Sequence, residues 1–334
     1  MKNIAIIFGG VSTEHEISIS SATSVIENMN KKKYKILPIY IDKTGNWYKY
    51  KKNINDIKRL EVGCYPNELE KIDNVIEVLK KQDLILPILH GKNGEDGSIQ
   101  GFLEVIGKKY VGCKILSSSL CMDKVYTKMI INNTKINQAK YIYLKYEKGG
   151  YLYINEFFEE KKVSLKNIDK LILEKLNYPV FIKPSRSGSS IGISKVYDKL
   201  ELKKALDIAI KYDNKILIEE NIIGKEIECA VLEENKVIVS TPGEIITDYY
   251  TYEAKYENDT KVLIPACVNE EVINKIKEFA IRAFKAVDAT GLARIDFFVT
   301  EDNKIYLNEI NTMPGFTDIS MYPKLFFYDG ISYS

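Results

Sequence analysis

The chain has 334 residues, 45% of them hydrophobic, which is enough to bury a large core divided among two or three domains. Its 48 basic and 46 acidic residues leave a net charge of +2, so no global field favours nucleic acid or an anionic membrane as a partner. The N-terminus lacks the pattern of a signal peptide, and no apolar run is long enough to span a membrane. We therefore expect a cytoplasmic protein that acts on small molecules.

The N-terminal part alternates between strands and helices. An apolar run at 4–8 ends in Gly9-Gly10, which is typical of a buried parallel strand entering a tight turn. Apolar residues at helical spacing then predict a helix that ends near residue 29, with Ser12 or Thr13 as its N-cap. Further along we predict a strand at 34–42, a helix at 67–81 and a strand at 84–91. This order indicates an α/β domain with a parallel sheet.

Two charged or polar groups follow strands of this domain. Glu14 comes shortly after the first strand, and His90, one of only two histidines, follows the third. Ligands of such sheets bind beyond the carboxyl ends of the strands. The pattern therefore places a candidate site at this edge.

From about residue 122 the pattern changes to α+β. We predict a helix near 122–131, a strand near 141, a helix to about 177, and strands at 179–184, 191–196 and 215–220. The remainder has a polar, aromatic loop at 247–260 and an amphipathic helix at 269–287. The predicted domains are 1–121, 122–222 and 223–334. The scattered cysteines show no CxxC spacing, so we expect reduced core residues (Cys64, Cys113, Cys121, Cys229, Cys267).

The segment 294–311 predicts a hairpin with one polar face. A tight turn at Asp302-Asn303 would place Asp296 opposite Glu309 and Arg294 opposite Asn311. Two carboxylates on directly opposed positions repel each other unless they are protonated or bridged by a cation. Oxygen ligands of this kind suit Mg²⁺ held together with phosphates. A solvated hairpin face with an incidental acidic pair is the alternative.

The segment KPSRSGSSIG, residues 183–192, places a lysine at the end of an apolar strand before a small, glycine-bearing loop. Backbone N–H groups in such a loop can bind phosphate while the lysine neutralises its charge. The order of residues differs from that of a Walker A motif. A plain hairpin turn remains an equal alternative for this stretch alone.

Several motifs together resemble those of the D-alanine-D-alanine ligase family of ATP-grasp enzymes. They occur in the family's order from residue 4 to about 326: GGVSTEHEIS, LHGKNGEDGSIQG, CMDK, FIKPSRSGSSIGISKV, YEAKY, ARIDFF and NEINTMPGFTDISMYPKL. The N-terminal part is also similar to the D-alanine-D-serine ligases of glycopeptide resistance. The resemblance implies a three-domain ATP-grasp fold and the ATP-dependent joining of two D-alanines through an acyl phosphate, for the synthesis of peptidoglycan precursors.

The resemblance also implies site residues. Glu14 matches the anchor of the first D-alanine ammonium, and Ser189 and Tyr256 match residues that close the site with it. Arg294 and the Gly315 N–H match the groups that stabilise the tetrahedral oxyanion. The other implied substrate-binding residues are His90, Glu95, Lys255, Ser320 and Met321. The implied ATP-binding residues are Lys124, Lys183, Glu219, Ile222 and Glu226, and the implied metal ligands are Asp296, Glu309 and Asn311.

The implied cofactor is Mg²⁺, as two ions for which Mn²⁺ can substitute, and the implied assembly is a homodimer. The loop 247–260 would be a lid over the site.

Members of this family continue beyond the equivalent of DGISYS into a further C-terminal helix, and some have an acidic residue where this chain has Ser187. Resistance-type ligases tend to have an arginine in place of Met321, so we expect D-alanine to be preferred over D-serine. Another ATP-grasp carboxylate-amine ligase and a nucleotide-binding module without turnover are the remaining alternatives.

Overall fold

The computed structural model describes residues 1–50, 69–246 and 261–333, and these ranges contain eighteen strands and nine helices arranged around three sheets. The predicted lid at 247–260 lies outside the described residues, as do Lys255 and Tyr256. Within the described ranges, no helix is both long and apolar enough to cross a membrane.

The first sheet forms the N-terminal α/β unit. Its strands are β1 (Lys2–Gly9), β2 (Tyr34–Ile41), β3 (Trp47–Tyr50), β4 (Leu69–Lys71) and β5 (Leu84–Ile88), in the order β4-β3-β2-β1-β5. β1 runs parallel to both β2 and β5, as the sequence predicts. Helix α1 (His15–Asn28) covers one face of β1, whereas α2 (Val75–Lys80) and α3 (Ser98–Val105) pack on the other. Because both faces are covered, β1 reads as a continuous apolar run.

Two local predictions in this unit are wrong. The residue before α1 is Glu14, and the Ser12 hydroxyl instead accepts a hydrogen bond from the Glu14 N–H. The predicted helix at 67–81 is shorter, because 69–71 pair as an edge strand with β3 and the helix begins only after Asn74. The Asn74 side chain accepts a hydrogen bond from the Glu77 N–H, which is a capping signal that fixes this start.

The middle sheet is antiparallel throughout. Its strands are β7 (Tyr141–Glu147), β8 (Gly150–Ile154), β9 (Glu160–Val163), β10 (Val180–Pro184), β11 (Ser194–Val196) and β12 (Lys215–Glu220), in the order β11-β10-β12-β7-β8-β9. Helices α6 (Leu165–Lys175) and α7 (Lys199–Ala209) pack on one face. The sequence did not predict β8 and β9, because the edge strand β9 is mostly exposed, its neighbour β8 is mostly half-buried, and neither shows a clear apolar alternation.

The third sheet carries much of the candidate site. It contains β6 (Asn137–Gln138), β13 (Lys225–Glu233), β14 (Val237–Val239), β15 (Gly243–Ile246), β16 (Lys261–Leu263), β17 (Leu292–Val299) and β18 (Ile305–Asn311). Helix α8 (Glu270–Ala286) covers one face, and α9 (Met321–Tyr328) packs against β13 within a second apolar cluster. Two helices that precede the middle sheet, α4 (Ile115–Met122) and α5 (Lys124–Ile131), also contribute side chains to the core beneath α8.

The cysteines only partly follow the prediction. Cys113, Cys121 and Cys229 are free and buried, as expected of core residues. Cys267 is free but exposed, so its placement in the core was wrong. Cys64 lies outside the described residues.

The predicted hairpin between β17 and β18 is confirmed in register. Asp296 pairs with Glu309 and Arg294 with Asn311, whereas Ile295 and Phe297 enter the core. The pairing shifts by one residue between Asp296 and Phe297, which the sequence did not predict. This β-bulge changes which residues of β18 face the core: Ile305 and Leu307 before the shift, and Ile310 after it.

Candidate active site

The first strand ends in a turn that requires glycine. Gly9 has a φ of +88°, and a Cβ there would lie 2.3 Å from the Ile41 carbonyl oxygen. The Ser18 hydroxyl accepts a hydrogen bond from the Gly9 N–H at 2.8 Å and donates one to the Ile88 carbonyl. The turn leads directly into Glu14, whose side chain is buried just before α1.

The Glu14 carboxylate lies between two glycine-bearing loops. Its Oε1 accepts a hydrogen bond from the Ser189 hydroxyl. A Cβ on Gly188 would lie 2.8 Å from Oε2, and one on Gly91 would lie 2.4 Å from the same atom. A cavity of about 380 Å³ opens beside this carboxylate and is also lined by Arg186. Glycine on both sides therefore lets two loops approach one buried carboxylate.

Helix α1 begins with two polar side chains, His15 and Glu16, that have structural roles. His15 is fully buried, and its ring nitrogens lie 2.7 Å from the Gly10 carbonyl oxygen and 3.1 Å from the Tyr40 hydroxyl. Glu16, in the first turn, pairs with Lys43 at 2.5 Å. A negative charge at this helix terminus is favourable because the first N–H groups of the helix are not hydrogen-bonded within it.

His90 and Glu95 lie on the loop after β5. Burial, together with the smaller effect of the Arg294 charge, lowers the pKa of His90 to about 4, despite the hydrogen bond to the Met313 carbonyl, which raises it. Burial, and next the charge of Glu14, raise the pKa of Glu95 to about 8. The Glu95 carboxylate accepts a hydrogen bond from the Gly91 N–H at 2.6 Å. At neutral pH the site therefore holds a neutral imidazole and a largely protonated carboxyl group.

The loop between β10 and β11 is held in an unusual conformation. Ser189 and Ser190 both have positive φ, at 48° and 59°, which non-glycine residues adopt rarely. Asp213 anchors the start of the loop by accepting hydrogen bonds from the Arg186 N–H and guanidinium. The local strain persists because such contacts fix the surrounding backbone.

Lysines and carboxylates meet between the middle and third sheets. Lys183 Nζ lies 2.5 Å from Glu219 Oε2, and Lys128 Nζ lies 2.6 Å from Glu219 Oε1. Burial alone would raise the pKa of Glu219, but the two ammonium groups lower it to about 2. Lys124 Nζ lies 3.6 Å from Glu309 and 2.8 Å from the Ser187 carbonyl oxygen. This pocket can therefore balance several negative charges.

The polar face of the β17–β18 hairpin is a compact charged cluster. Asp296, 1% exposed, accepts two hydrogen bonds from the Arg294 guanidinium at 2.8 and 2.7 Å, and one from the Asn311 amide at 2.9 Å. Glu228 on β13 lies 3.0 Å from the same guanidinium. Burial alone would lower the pKa of Arg294, but Asp296 and Glu228 raise it well above its usual value.

The chemistry of this cluster fits a magnesium ion. Asp296 and Glu309 occupy directly opposed positions, and Arg294 and Lys124 now lie against them. In the described ranges, no group of three His, Cys, Asp or Glu side chains could hold a metal. The predicted set has two carboxylates and the Asn311 amide. Mg²⁺ characteristically takes few protein oxygens and completes its shell with water and phosphate, so the donor set is suitable.

Two family models match the sequence, one described as the D-ala D-ala ligase N-terminus at residues 3–113 and one as the D-ala D-ala ligase C-terminus at residues 149–334. The chain belongs to the D-alanine-D-alanine ligase family. Its fold is therefore the ATP-grasp fold predicted above, and the protein is an enzyme of that family.

Individual relatives of the ligase family match over nearly their whole length. A D-alanine-D-alanine ligase of Caldicellulosiruptor bescii is 45% identical and covers 99% of this chain and 92% of the relative, and that of Clostridium acetobutylicum is 46% identical with 100% and 95% coverage. Among solved structures, the VanG D-Ala:D-Ser ligase of Enterococcus faecalis has a TM-score of 0.82 at 37% identity, covering 99% of this chain and 96% of that one.

The remaining residues implied by the ligase resemblance lie just before α9, at its first position, and at or just before the start of β13. Gly315 approaches Ser320 so closely that a Cβ would lie 2.7 Å from the Ser320 hydroxyl. Met321 is buried in the apolar cluster of α9, and a Cβ on Gly243 would lie 2.5 Å from its Cε. Its side chain thus packs in the core. Ile222 is half-buried between β12 and β13, and Glu226 is buried at the start of β13.

Sequence reasoning missed three charged residues that contact the candidate site residues. Lys128 follows Lys124 by one helical turn, so the spacing KVYTK could have indicated a second lysine on the same face of α5. Glu228 alternates with the core residues Ile227 and Cys229, which could have indicated a buried polar position. Asp213 gave no comparable signal, because its partner Arg186 is distant in sequence.

Proposed function

We propose that this protein joins two D-alanines into D-alanyl-D-alanine, with ATP as the co-substrate, for peptidoglycan precursor synthesis. One chain of contacts carries the proposal. Glu309 lies beside Lys124, Lys124 donates to the Ser187 carbonyl, and Ser189 of the same loop donates to Glu14. A phosphate-binding region and a buried carboxylate are thus linked through one loop, as a reaction between a nucleotide and an amino acid requires.

In the proposed first step, the carboxylate of one D-alanine attacks the γ-phosphorus of ATP. A bond forms between carboxylate oxygen and phosphorus, the bond to the β,γ-bridging oxygen breaks, and ADP leaves. Glu14 pairs with the ammonium of this D-alanine and so orients its carboxylate. Lys124 and Lys183 bind the phosphates, and Lys183 exchanges its contact with Glu219 for the nucleotide.

Asp296, Glu309 and Asn311 would hold two magnesium ions, for which manganese can substitute, and these would neutralise charge on the phosphates. Glu219, Glu226 and the Ile222 backbone are proposed to hold the adenine and ribose. Lys128 remains on Glu219 when Lys183 turns to the phosphates, so the buried carboxylate keeps a positive partner.

In the proposed second step, the amine of the other D-alanine attacks the acyl carbon. The C–N bond forms, the carbonyl oxygen becomes negatively charged and the amine loses its proton. The C=O bond then re-forms as the C–O bond to phosphate breaks, and phosphate leaves. Arg294 and the Gly315 N–H are the proposed donors to this oxygen, and preorganised donors of this kind can be worth about 3 kcal/mol each. Ser320 and Met321 are proposed to lie near the second D-alanine, and Tyr256, Lys255, Glu95 and His90 to complete the pocket.

The deciding experiment is a phosphate-release assay with ATP and Mg²⁺, in which D-alanine is supplied and the product is identified by mass. ATP-dependent D-alanyl-D-alanine with one phosphate released per dipeptide supports the proposal. Turnover with other carboxylates but not with D-alanine would favour a different ATP-grasp ligase, and ATP binding without turnover would favour a binding module.

A D-alanine-D-serine ligase is the second candidate, because the VanG structure matches nearly the whole chain. Against it, Met321 is apolar and packed in the core, so its side chain supplies no hydrogen bond to a serine hydroxyl. An unpaired buried hydroxyl costs about 1–3 kcal/mol, so we expect D-serine to be used about tenfold less well than D-alanine. A competition at equal concentrations, with products separated by mass, decides between them; excess D-alanyl-D-serine would favour the second candidate.

We also propose, from the family resemblance, that the enzyme works as a homodimer, and from its use of ATP that it works in the cytoplasm. Light scattering after size-exclusion chromatography gives the mass in solution directly. A mass equal to a single chain of 38.3 kDa at working concentration would contradict the dimer.

A further inference from the structure

A closed ring of hydrogen bonds surrounds the backbone of Gly315. His90 Nδ1 lies 3.1 Å from the Met313 carbonyl oxygen, and His90 Nε2 lies 3.0 Å from the Ser21 hydroxyl. The Phe316 N–H donates to that same hydroxyl at 3.2 Å. Ser21 belongs to α1 and His90 to the loop after β5, so two elements of the N-terminal unit hold both ends of one short segment from the third sheet.

The direction of every hydrogen bond in this ring is determined. A carbonyl oxygen only accepts, so His90 must carry its proton on Nδ1. In a neutral imidazole with its proton on Nδ1, the Nε2 atom is an acceptor, and the Ser21 hydroxyl donates to it. The Ser21 oxygen in turn accepts from the Phe316 N–H. The hydrogen bonds therefore all point the same way, from the Phe316 N–H through Ser21 and His90 to the Met313 carbonyl, and the position of every proton is assigned.

Both bridging side chains are fixed by their surroundings. Ser21 is completely buried and His90 is 4% exposed, so water does not compete for these hydrogen bonds. Met313 is buried in the apolar core of the N-terminal sheet, and the Phe316 ring lies 5.3 Å from that of Tyr322. Segment 313–316 is thus held at both ends by packing as well as by polar contacts.

Only one N–H group inside the ring is left to bind a substrate. Pro314 has no N–H, and the Phe316 N–H is used by Ser21. Among the described residues, none accepts a hydrogen bond from the Gly315 N–H. A side chain is excluded at Gly315 by the Ser320 hydroxyl, so the backbone itself can approach a ligand closely.

We propose that Ser21 is a positioning residue which, through His90 and Phe316, fixes the direction of the Gly315 N–H toward the reacting carbonyl group. The inference rests on the proposed function, since that function makes Gly315 an oxyanion donor. Ser21 touches neither substrate nor nucleotide in this role. Its hydroxyl is required because only a group that donates and accepts at once can close the ring.

The first test compares Ser21→Ala with Thr23→Val in the complete enzyme. Thr23 is also fully buried on α1, but its hydroxyl donates to the Ile19 carbonyl of the same helix, at 2.9 Å. Thr23→Val therefore controls for the loss of a buried hydroxyl from α1 outside the ring. We expect Ser21→Ala to lower kcat about tenfold while KM for ATP stays within about twofold, because a misdirected oxyanion donor affects mainly the transition state. Thr23→Val should leave kcat unchanged.

A conservative variant and a double variant extend this test. Ser21→Thr keeps the hydroxyl and should recover most of kcat. If the ring works as a unit, Ser21→Ala combined with His90→Asn should be no more than about twofold slower than the slower single variant. Equal kcat for Ser21→Ala and Thr23→Val, fully multiplicative losses in the double variant, or a parallel rise in KM for ATP would each overturn the proposal.

A spectroscopic measurement covers the case in which Ser21→Ala does not fold. The chain has two histidines, so ¹⁵N-labelled imidazole spectra of the wild type are simple, and His90 is identified by the signal lost in His90→Asn. We expect the neutral Nδ1–H tautomer at neutral pH. An Nε2–H tautomer or a charged imidazole would contradict the proposed ring of hydrogen bonds. If the wild type forms no dipeptide, the proposed function fails, and the tautomer still reports on the ring independently.

Discussion

Ser189 donates a hydrogen bond to Glu14 from a position 175 residues away in the sequence. The contact joins the loop of the middle sheet to the turn after the first strand. It also accounts for the acidic residue that follows Gly10 so closely, because the turn presents a carboxylate to the loop between β10 and β11 and to the cavity beside it.

Glu14→Gln should raise KM for the first D-alanine by about tenfold or more, since a substrate ammonium loses its charged partner. The fold should be little affected, because the amide keeps the shape and one accepting oxygen. Glu16→Gln is the matched control, as Glu16 pairs with Lys43 at the surface of the same helix. Steady-state kinetics with varied D-alanine measure the effect, and an unchanged KM would reject this role of Glu14.

Glu309→Gln should reduce kcat by about 100-fold or more at saturating Mg²⁺, because it removes a proposed metal ligand at small cost in stability. Asp296→Asn should affect both properties. From the sequence, a metal ligand on the polar face of the hairpin is expected to be exposed. This expectation is wrong for Asp296, which is buried and receives hydrogen bonds from Arg294 and Asn311. We expect Asp296→Asn to lower stability by about 1–3 kcal/mol as well.

Thermal unfolding and Mg²⁺ titrations separate these two effects. Glu309→Gln should need more Mg²⁺ for half-maximal rate while its melting temperature stays near that of the wild type. Rates within a few-fold of wild type at high Mg²⁺ for both variants would contradict the metal assignment.

Lys128→Met should raise KM for ATP about tenfold, with a smaller effect on kcat. Without Lys128, the buried Glu219 carboxylate retains only Lys183, which must then stay in place rather than bind phosphate. The double variant Lys128→Met with Glu219→Gln removes the unpaired charge and should fold better than Lys128→Met alone. ATP titrations and melting curves test this, and a KM equal to that of the wild type would exclude the coupling.

Glu95 gives a pH dependence of stability in the ligand-free enzyme. Its folded pKa of about 8 exceeds the usual value of 4.5, so the protonated form is favoured by folding and stability is lost as the pH rises from about 5 through 8. Glu95→Gln cannot ionise and should melt at least about 3 °C above wild type at alkaline pH, with a smaller difference at pH about 5. Glu27→Gln, an exposed change on α1, is the control. A constant difference across this pH range would contradict the shifted pKa.

Local patterns in the sequence were sufficient for part of the fold and site. The hairpin that pairs Asp296 with Glu309 could be derived, because the twelve intervening residues allow only a few registers and the apolar alternation selects one. The parallel pairing of β1 with β2 and β5 followed from continuous apolar runs. The helix predicted at 67–81 failed because strand pairing with β3 overrides the local propensity of 69–71.

Contacts between distant segments could not be derived in the same way. Nothing local links Ser21 to Phe316 or Asp213 to Arg186, because each pair meets only when separate elements pack together. The family motifs supplied Glu14 and Ser189 as members of one site, but the composition and spacing of either motif did not.

The bulge between Asp296 and Phe297 separates the hairpin into two mechanically distinct parts. On the side of the bulge away from the turn, Asp296, Glu309 and Asn311 share one register. Between the bulge and the turn, the two strands pair in another register. Changes in length or sequence at the tip, around Asp302, can therefore be absorbed at the bulge without rotating the acidic pair away from the site. The tip is a natural place to insert a peptide tag or a reporter residue, and the half of the hairpin that carries Asp296 and Glu309 should tolerate such an insertion.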